Sequence, residues 1–198
     1  MNCLSGMFTA LLAGSVLTGA PALGQNSGSN AELPASSPSN KSSAGTPMSD
    51  WDFVNKAAQG GMAEVELGQL AQQKATNPQV KQFAEHMVND HSKANDQLKQ
   101  LAEQKNMSLP HDLDNRAELT KARLEQLSGE KFDRAYMRSM VKDHTNDVAE
   151  FQLASKNATD PAIKNFASET LPTLREHLKE AEKIAPTTAQ AAEQAQSK

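Results

Sequence analysis

The sequence predicts an all-α protein, an antiparallel four-helix bundle made of two helical hairpins joined by a long crossover. Three observations lead to this prediction. Aromatic residues make up only 4% of the 198-residue chain, and the residues that dominate it, Ala, Gln, Lys, Glu and Leu, favour helices over strands. One segment of the chain occurs twice with the features of a helix, a turn and a second helix. The two copies are separated by a connection too long for a simple turn.

The duplicated segment sets the positions of the helices. The stretch "QLAQQKATNPQVKQFA" at 69–84 matches "QLASKNATDPAIKNFA" at 152–167, 83 residues later. In each copy an N-cap residue, Asn77 or Asp160, precedes a proline at the first helical position, where a missing N–H costs nothing. We therefore predict two hairpins, with helices at about 50–75, 78–105, 130–157 and 161–185.

The connection between the hairpins spans residues 106–129 and includes a stretch, 116–127, that suits a short helix. It is long for adjacent antiparallel helices and is typical of a crossover that runs the length of a bundle. We further expect Thr76 and Thr159, which mark the two hairpin turns, to lie at the same end of the bundle.

Both ends of the chain are predicted to lie outside the folded domain, which we place at 49–185. Residues 1–24 contain a short apolar run and an Ala-x-Gly site, which is typical of a cleaved signal peptide, although the usual basic residues are missing from its start. The flanking segments 25–48 and 186–198 are predicted to be a disordered linker and tail. The signal peptide predicts a protein exported to the periplasm or beyond. The apolar run is too short to cross a membrane, so we expect no transmembrane segment after signal removal.

Charge and motif content exclude several functions. The formal net charge is −4, and no stretch is basic enough to bind nucleic acid. The single cysteine, Cys3, lies in the predicted signal peptide, so the mature chain has no thiolate chemistry. With no nucleophile triad, phosphate loop or Cys–His pair, we predict no catalytic residue and favour a protein that is not an enzyme. The sequence leaves a protein partner and the oligomeric state open.

Each of the four long helices turns at least one ionisable side chain toward its apolar stripe, when positions are advanced by about 100° per residue. These groups lie 13 to 17 residues from the turn of their own hairpin, a distance of roughly 20–25 Å along a helix. If both turns share one end, the groups form a single layer. They are Glu64, His91, His144, Asp147 and, near the margin of its stripe, His177.

Imidazoles and carboxylates in an apolar interior are costly unless they are paired or bind something. The donors present suit Zn, Fe, Mn or Cu(II). Asp147 is predicted as a further ligand or as the acceptor of a hydrogen bond from a histidine N–H. Asp90 and Asp143 are predicted to accept hydrogen bonds from the histidine N–H groups that do not face the metal, and so to orient the rings. The alternative is a polar layer that only sets helix register in a structural or interaction module of the cell envelope. The predicted ligands of one divalent ion are Glu64, His91, His144 and His177.

A short phrase also repeats, as "MVNDHS" at 87–92 and "MVKDHT" at 140–145. The hairpin repeat does not equate these two positions. The recurrence is therefore either chance or a shared requirement for an inward histidine with an aspartate at the edge of the stripe.

Four longer stretches resemble a known family, and they are "GMAEVELGQLA" (61–71), "VKQFAEHMVNDHSKAN" (80–95), "GEKFDRAYMRSMVKDH" (129–144) and "LPTLREHL" (171–178). Together with the helix between them, they make the chain similar to the bacterial DUF4142 domain over essentially all of 50–185. The resemblance implies a ferritin-like four-helix bundle and an exported location. It implies no activity, because the function of that family is not established.

Di-iron ferritin-like proteins carry Glu-x-x-His motifs on two of their helices. In this sequence Val88 stands three residues before His91, and Leu174 stands three residues before His177. Because neither motif is present, the sequence favours a mononuclear, histidine-rich site over a di-iron centre.

Overall fold

The structure is a computed structural model that describes the backbone of residues 48–196 and the side chains of residues 48–185. The predicted signal peptide and nearly all of the predicted linker lie outside the described residues. Within that part of the chain all regular secondary structure is helical, which confirms the predicted fold class. The helices are α1 (Asp50–Lys74), α2 (Pro78–Gln104), α3 (Asn115–Glu125), α4 (Gly129–Asn157) and α5 (Pro161–Gln196).

The duplicated turn starts α2 and α5 as the sequence predicts. The Asn77 side chain accepts a hydrogen bond from the Gln79 amide at 2.8 Å, and Asp160 Oδ1 accepts one from the Ala162 amide at 2.8 Å. A proline follows each cap and opens the helix. These side chains satisfy amide groups that the first helical turn leaves without a backbone acceptor.

The four long helices form a ring in the order α1, α2, α5, α4, and α3 packs on α1 and α4. Lys105, at the end of α2, pairs with Asp160, just before α5 begins. Asp133, near the start of α4, accepts a hydrogen bond from the Thr76 amide in the turn between α1 and α2. The chain from 105 to 128 therefore crosses the length of the bundle, and every neighbouring pair of long helices is antiparallel.

The two hairpin turns lie at opposite ends of the bundle, so the expectation that they share an end is wrong. Thr76 lies beside the start of α4, whereas the Thr159 amide donates to Asp50 at the start of α1, at 2.9 Å. The physical reason is the crossover itself. It returns the chain to the end where α2 began, so the second hairpin has to turn at the other end.

The predicted layer of ionisable groups nevertheless exists, because it lies near the middle of the bundle. Helix α1 has 25 residues and α4 has 29, which correspond to about 37 and 43 Å at 1.5 Å per residue. A group that is roughly 20–25 Å from either end of such a helix lies near its midpoint. Counting from opposite ends therefore leads to the same layer.

Two apolar clusters fill the interior, one on each side of this layer. The cluster toward the Thr76 end includes Phe83, Phe132 and Tyr136, and the cluster toward the Thr159 end includes Phe53 and Phe151. The buried polar side chains of the layer lie between these two apolar clusters. Burial of these apolar side chains stabilises the bundle. The bundle therefore has an apolar core that does not depend on the polar layer.

Helix α5 extends to Gln196, beyond the predicted helix end near residue 185 and into the segment predicted as a disordered tail. The low-complexity sequence after Pro186 is rich in Ala and Gln, which are good helix formers. This composition explains why a segment with few apolar residues continues a helix. None of the helices in the described part of the chain is long and apolar enough to cross a membrane.

Gly68 packs tightly against α2, and we expect Gly68→Ala to lower the free energy of unfolding by about 1–3 kcal/mol. A Cβ atom at this position would lie 2.9 Å from Val88 Cγ2 and 3.1 Å from the carbonyl oxygen of Ala84. Gly60→Ala is the matched control, since its Cβ would have its nearest neighbour 4.0 Å away. That change should stabilise the helix by about 0.5–1 kcal/mol. Urea unfolding of both variants measures the difference, and equal effects would contradict the close approach.

Candidate metal centre

Four buried polar side chains converge at the middle of the bundle, one from each long helix. The exposed fraction of these residues is 0% for His144, 3% for His177, 4% for Glu64 and 5% for His91. The sequence predicted all four as inward-facing groups of one layer, and the structure brings them together. Asp147, the fifth predicted group, lies beside them and is partly exposed.

The three imidazole rings form a compact triangle. Their centroids are 5.6 Å apart for His91 and His144, and 5.3 Å apart for each of the other two pairs, which involve His177. One nitrogen from each ring lies within 4.8 Å of a nitrogen of the other two. Ligand atoms on a common ion about 2.0–2.1 Å away lie roughly 3–4 Å apart. The rings therefore need to close by only about 1 Å to share one ion.

Two of the rings are held by carboxylates. His91 Nδ1 lies 3.0 Å from Glu64 Oε2, and His177 Nε2 lies 3.1 Å from Asp90 Oδ2. Carboxylates that accept the second N–H of a histidine fix its tautomer and orient the ring, which is the usual arrangement behind histidine ligands. Asp90 was predicted to be such an acceptor, and its partner is the histidine of α5.

The third ring is held by the backbone. His144 Nδ1 lies 3.0 Å from the carbonyl oxygen of Met140, one helical turn earlier. A carbonyl oxygen only accepts hydrogen bonds, so this nitrogen carries the proton. Glu64 Oε1 is a second acceptor near this nitrogen, at 3.3 Å. Because the proton lies on Nδ1, the free lone pair of the His144 ring lies on Nε2.

One nitrogen of each ring has no hydrogen-bond partner among the described residues. These atoms are His91 Nε2, His144 Nε2 and His177 Nδ1. In each case the opposite nitrogen of the ring is the one engaged by an acceptor. The arrangement leaves three buried lone pairs, one on each ring of the triangle, and such a set can coordinate a cation.

Burial keeps the three imidazoles neutral. Desolvation lowers the pKa of His144 to about 3, with the positive charge that His177 would carry as the next cause. Desolvation likewise lowers the pKa of His91 well below its ordinary value and lowers that of His177. Because a protonated imidazole has no lone pair for a metal, these shifts leave the rings ready to coordinate at neutral pH.

Glu64 and Asp147 form a carboxyl pair next to the triangle. Burial raises the pKa of Glu64 well above its ordinary value, and the neighbouring Asp147 charge raises it further. Burial also raises the pKa of Asp147 to about 7, with Asp143 as the second cause. One oxygen from each carboxyl group and one nitrogen of His144 lie within 4.8 Å of one another.

Two predicted residues occupy positions that the sequence did not indicate. Glu64 was predicted to be a ligand alongside the histidines, but the structure places its Oε2 against the engaged nitrogen of His91. Asp143 was predicted to orient a ring, but it pairs with Arg116 of α3 at 2.6 Å.

Two further parts of the site were not predicted from the sequence. Phe83 places its ring against His144 and His177, with centroids 6.5 and 6.4 Å apart, and it walls the triangle on the Thr76 side. Phe83 is one of several buried apolar residues of α2, and the sequence pattern does not distinguish it from the others. The Met140 carbonyl is a backbone group, which no residue pattern distinguishes.

Residues 35–184 match the family described as Domain of unknown function (DUF4142). No curated protein matches the chain. The family match covers all of α1 to α4 and most of α5, so it includes every residue of the candidate site.

Several solved structures share the fold. A DUF305 fragment from Deinococcus radiodurans is 17% identical with a TM-score of 0.63, and covers 72% of this chain and 97% of its own. A DUF305 protein from Streptomyces coelicolor is 11% identical with a TM-score of 0.62, covering 73% and 95%. CopM in its Cu(II)-bound form is 16% identical with a TM-score of 0.62, covering 72% and 99%. Other CopM structures are bound to Cu(I) or silver.

Proposed function

The chain belongs to the DUF4142 family, and we propose that its bundle is an exported metal-handling domain that holds one copper ion between His91, His144 and His177. One observation carries this proposal. Three buried imidazole rings meet at the centre of the bundle with one nitrogen of each within 4.8 Å of the others, and each ring has one nitrogen held by an acceptor and one without a hydrogen-bond partner among the described residues.

A metal explains the triangle better than a role in helix register. A buried polar atom without a hydrogen bond costs about 1–3 kcal/mol, and here three such atoms lie together. A layer that only sets register is expected to satisfy its polar atoms internally, because a partly satisfied network is worse than an apolar core. An ion would satisfy all three lone pairs at once.

Copper fits this donor set best. Imidazole suits Cu, Zn, Fe and Ni, and among divalent ions copper binds such ligands most tightly. Three neutral nitrogens in an apolar interior also favour an ion of low charge, because burying charge is costly, and Cu(I) carries a single one. CopM, which shares this fold, binds copper or silver in several of its solved structures.

The test is a metal titration of the wild-type protein with Cu(II), with Cu(I) under reducing anaerobic conditions, and with Zn(II), each against a competing chelator. We expect one tightly bound copper ion per chain. The double variant His91→Ala/His144→Ala should lose at least about a hundredfold in affinity, since two of three ligands are gone. His86→Ala is the matched control, because His86 is also on α2 but pairs with Glu180 near the surface.

Each outcome decides a separate part of the proposal. A double variant that still binds one copper ion at wild-type affinity shows that the triangle is not the site. A wild-type protein that binds none of these ions removes the metal-binding function altogether. Zinc binding tighter than copper would keep the site but reject copper as its metal.

A further inference from the structure

We propose that ions reach the three-histidine centre through a cleft between α1, α3 and α4, and that Glu64 and Asp147 form a transit site on its floor. The inference depends on the proposed metal binding. It adds a route and a second, weaker cation site with oxygen donors.

A large cleft opens beside the layer. Its volume is about 550 Å³, and its walls come from α1, α4 and the start of α3. Glu64 and Asp147 both line it, whereas His144, directly behind them, has no exposed surface. An ion that enters from solvent here meets the two carboxyl groups before it meets an imidazole.

The charges in the cleft favour a cation at the floor. The two basic residues of the walls are already paired, Lys56 with Glu150 at 3.0 Å and Arg116 with an aspartate of α4 at 2.6 Å. Over residues 48–185, neither Glu64 nor Asp147 has a lysine or arginine within ion-pair distance. The floor is therefore the part of the cleft where acidic groups lack a cationic partner.

Glu64 connects the cleft to the centre. Its Oε1 is fully buried, lies 3.3 Å from His144 Nδ1 and makes no hydrogen bond within the described residues, while its Oε2 contacts His91. His144 belongs to both donor groups, the one with Glu64 and Asp147 and the one with the other two histidines. The two groups therefore adjoin, and an ion passes from one to the other across a single ring.

The chemistry of the two donor groups gives the transfer a direction. Carboxylate oxygens suit hard ions such as Mg and Ca, whereas imidazole suits copper. An ion bound by oxygens on the floor is held weakly and gains stability by moving to the nitrogens. A weak site in front of a strong one speeds passage in both directions and leaves the final equilibrium unchanged.

The experiment measures the rates of copper uptake and release in wild type, Asp147→Asn, Asp147→Glu and Glu150→Gln. Uptake of Cu(II) is followed by stopped-flow absorbance, and release by transfer to excess chelator. We expect Asp147→Asn to slow both rates by about tenfold, because the carboxylate charge that holds the ion on the cleft floor is lost. The equilibrium affinity should stay within about threefold, since both rates change together.

Two variants act as controls. Asp147→Glu keeps the carboxylate and should restore both rates, which separates the charge from any effect on folding. Glu150→Gln removes a charge from the wall rather than the floor, and should change the rates by less than about twofold, since Glu150 is already paired with Lys56.

Three results would overturn the transit site. Faster release with weaker affinity in Asp147→Asn would make Asp147 a ligand of the resident ion. If Glu150→Gln slows the rates as much as Asp147→Asn does, the effect comes from the total charge of the cleft and not from a site on its floor. If Asp147→Asn leaves the rates unchanged, ions reach the centre by another route. These differ from failure of the proposed function, in which wild type itself takes up no copper.

Discussion

Replacing His144 by leucine is expected to raise the free energy of unfolding of the metal-free protein by about 1–3 kcal/mol and to abolish its stabilisation by copper. His144 is completely buried, and its Nε2 atom has no hydrogen-bond partner in the described part of the chain. Leucine has a similar volume and no polar atoms, so the substitution removes an unsatisfied group without opening a large cavity. The Met140 carbonyl that loses its contact remains part of the α4 backbone.

The loss of copper stabilisation is the larger effect. An ion that binds only the folded state stabilises it by about 4 kcal/mol when its free concentration is a thousandfold above the dissociation constant. For a domain of this size, that raises the melting temperature on the order of 10 °C. We expect this shift in wild type and none in His144→Leu. Thermal unfolding with and without one equivalent of copper measures it.

The same substitution separates the metal site from the alternative of a register-setting layer. If the layer only fixes helix register, His144→Leu should destabilise the bundle, because a specific buried contact is lost. His86→Leu serves as a control at an exposed histidine of α2, and it should change neither stability nor the response to copper. A His144→Leu protein that unfolds more readily and still gains stability from copper would contradict the proposal.

The pH dependence of the free energy of unfolding provides a second test of the role of His144. His144 has a pKa of about 3 in the folded protein, against about 6.5 when unfolded. Between these values the unfolded chain binds a proton that the folded protein does not, so the free energy of unfolding falls as the pH falls from 6.5 toward 3. We expect His144→Leu to lose less stability than metal-free wild type over this window.

Asp133→Ala is expected to lower the free energy of unfolding by about 3 kcal/mol, because it removes the acceptor for one turn of the bundle. The side chain of Asp133 is 2% exposed. Its carboxylate accepts hydrogen bonds from the amide and hydroxyl of Thr76 and from the amide of Asn77, at 2.7 to 3.1 Å. Hydrogen bonds to a buried charged acceptor are stronger than neutral ones, and here they tie α4 to the first hairpin.

Asp50 is the matched comparison at the other end of the bundle. It accepts hydrogen bonds from the amides of Thr159 and Asp160, at 2.9 and 2.7 Å. Because Asp50 is more exposed than Asp133, water can replace it more easily, and Asp50→Ala should cost only about 1 kcal/mol. Urea unfolding of the two variants provides the measurement. An Asp133→Ala protein no less stable than Asp50→Ala would show that the buried carboxylate does not anchor the turn.

These two aspartates reveal how far the internal repeat extends. The 83-residue offset of the duplicated turn maps position 50 onto 133, and each aspartate caps the turn of the opposite hairpin. The same offset maps Glu64 onto Asp147, which lie side by side at the floor of the cleft. The offset pairs Glu64 with Asp147 from the sequence alone, and applying it to Asp50 would have identified Asp133 in the same way.

The repeated Met-Val-x-Asp-His phrase also has a structural basis. Helices α2 and α4 lie at opposite corners of the ring and run in the same direction. The same phrase therefore points His91 and His144 toward the centre from two sides at one depth. The aspartates of the phrase do not orient the histidines that follow them, since Asp90 contacts His177 and Asp143 contacts Arg116.

The sequence by itself determined the helices, the starts of α2 and α5, and the inward direction of the three histidines. These features are local. A cap contacts amides two or three residues away, and the phase of a helix follows from 3.6 residues per turn. The depth of each group follows from the same count, which is why the layer was predicted even though the two turns were placed at the wrong relative ends.

Only the tertiary structure decided which end each turn occupies, which nitrogen of each ring is free, and that Glu64 contacts the engaged side of His91. These features depend on the path of the crossover and on side-chain rotamers, and both are set by packing between segments far apart in the chain. A periodic pattern gives the direction of a side chain from its own helix, but not the atom that it meets on another. The proposed metal binding depends on that second quantity, because an acceptor that holds the proton on one ring nitrogen leaves the lone pair of the other nitrogen to the ion.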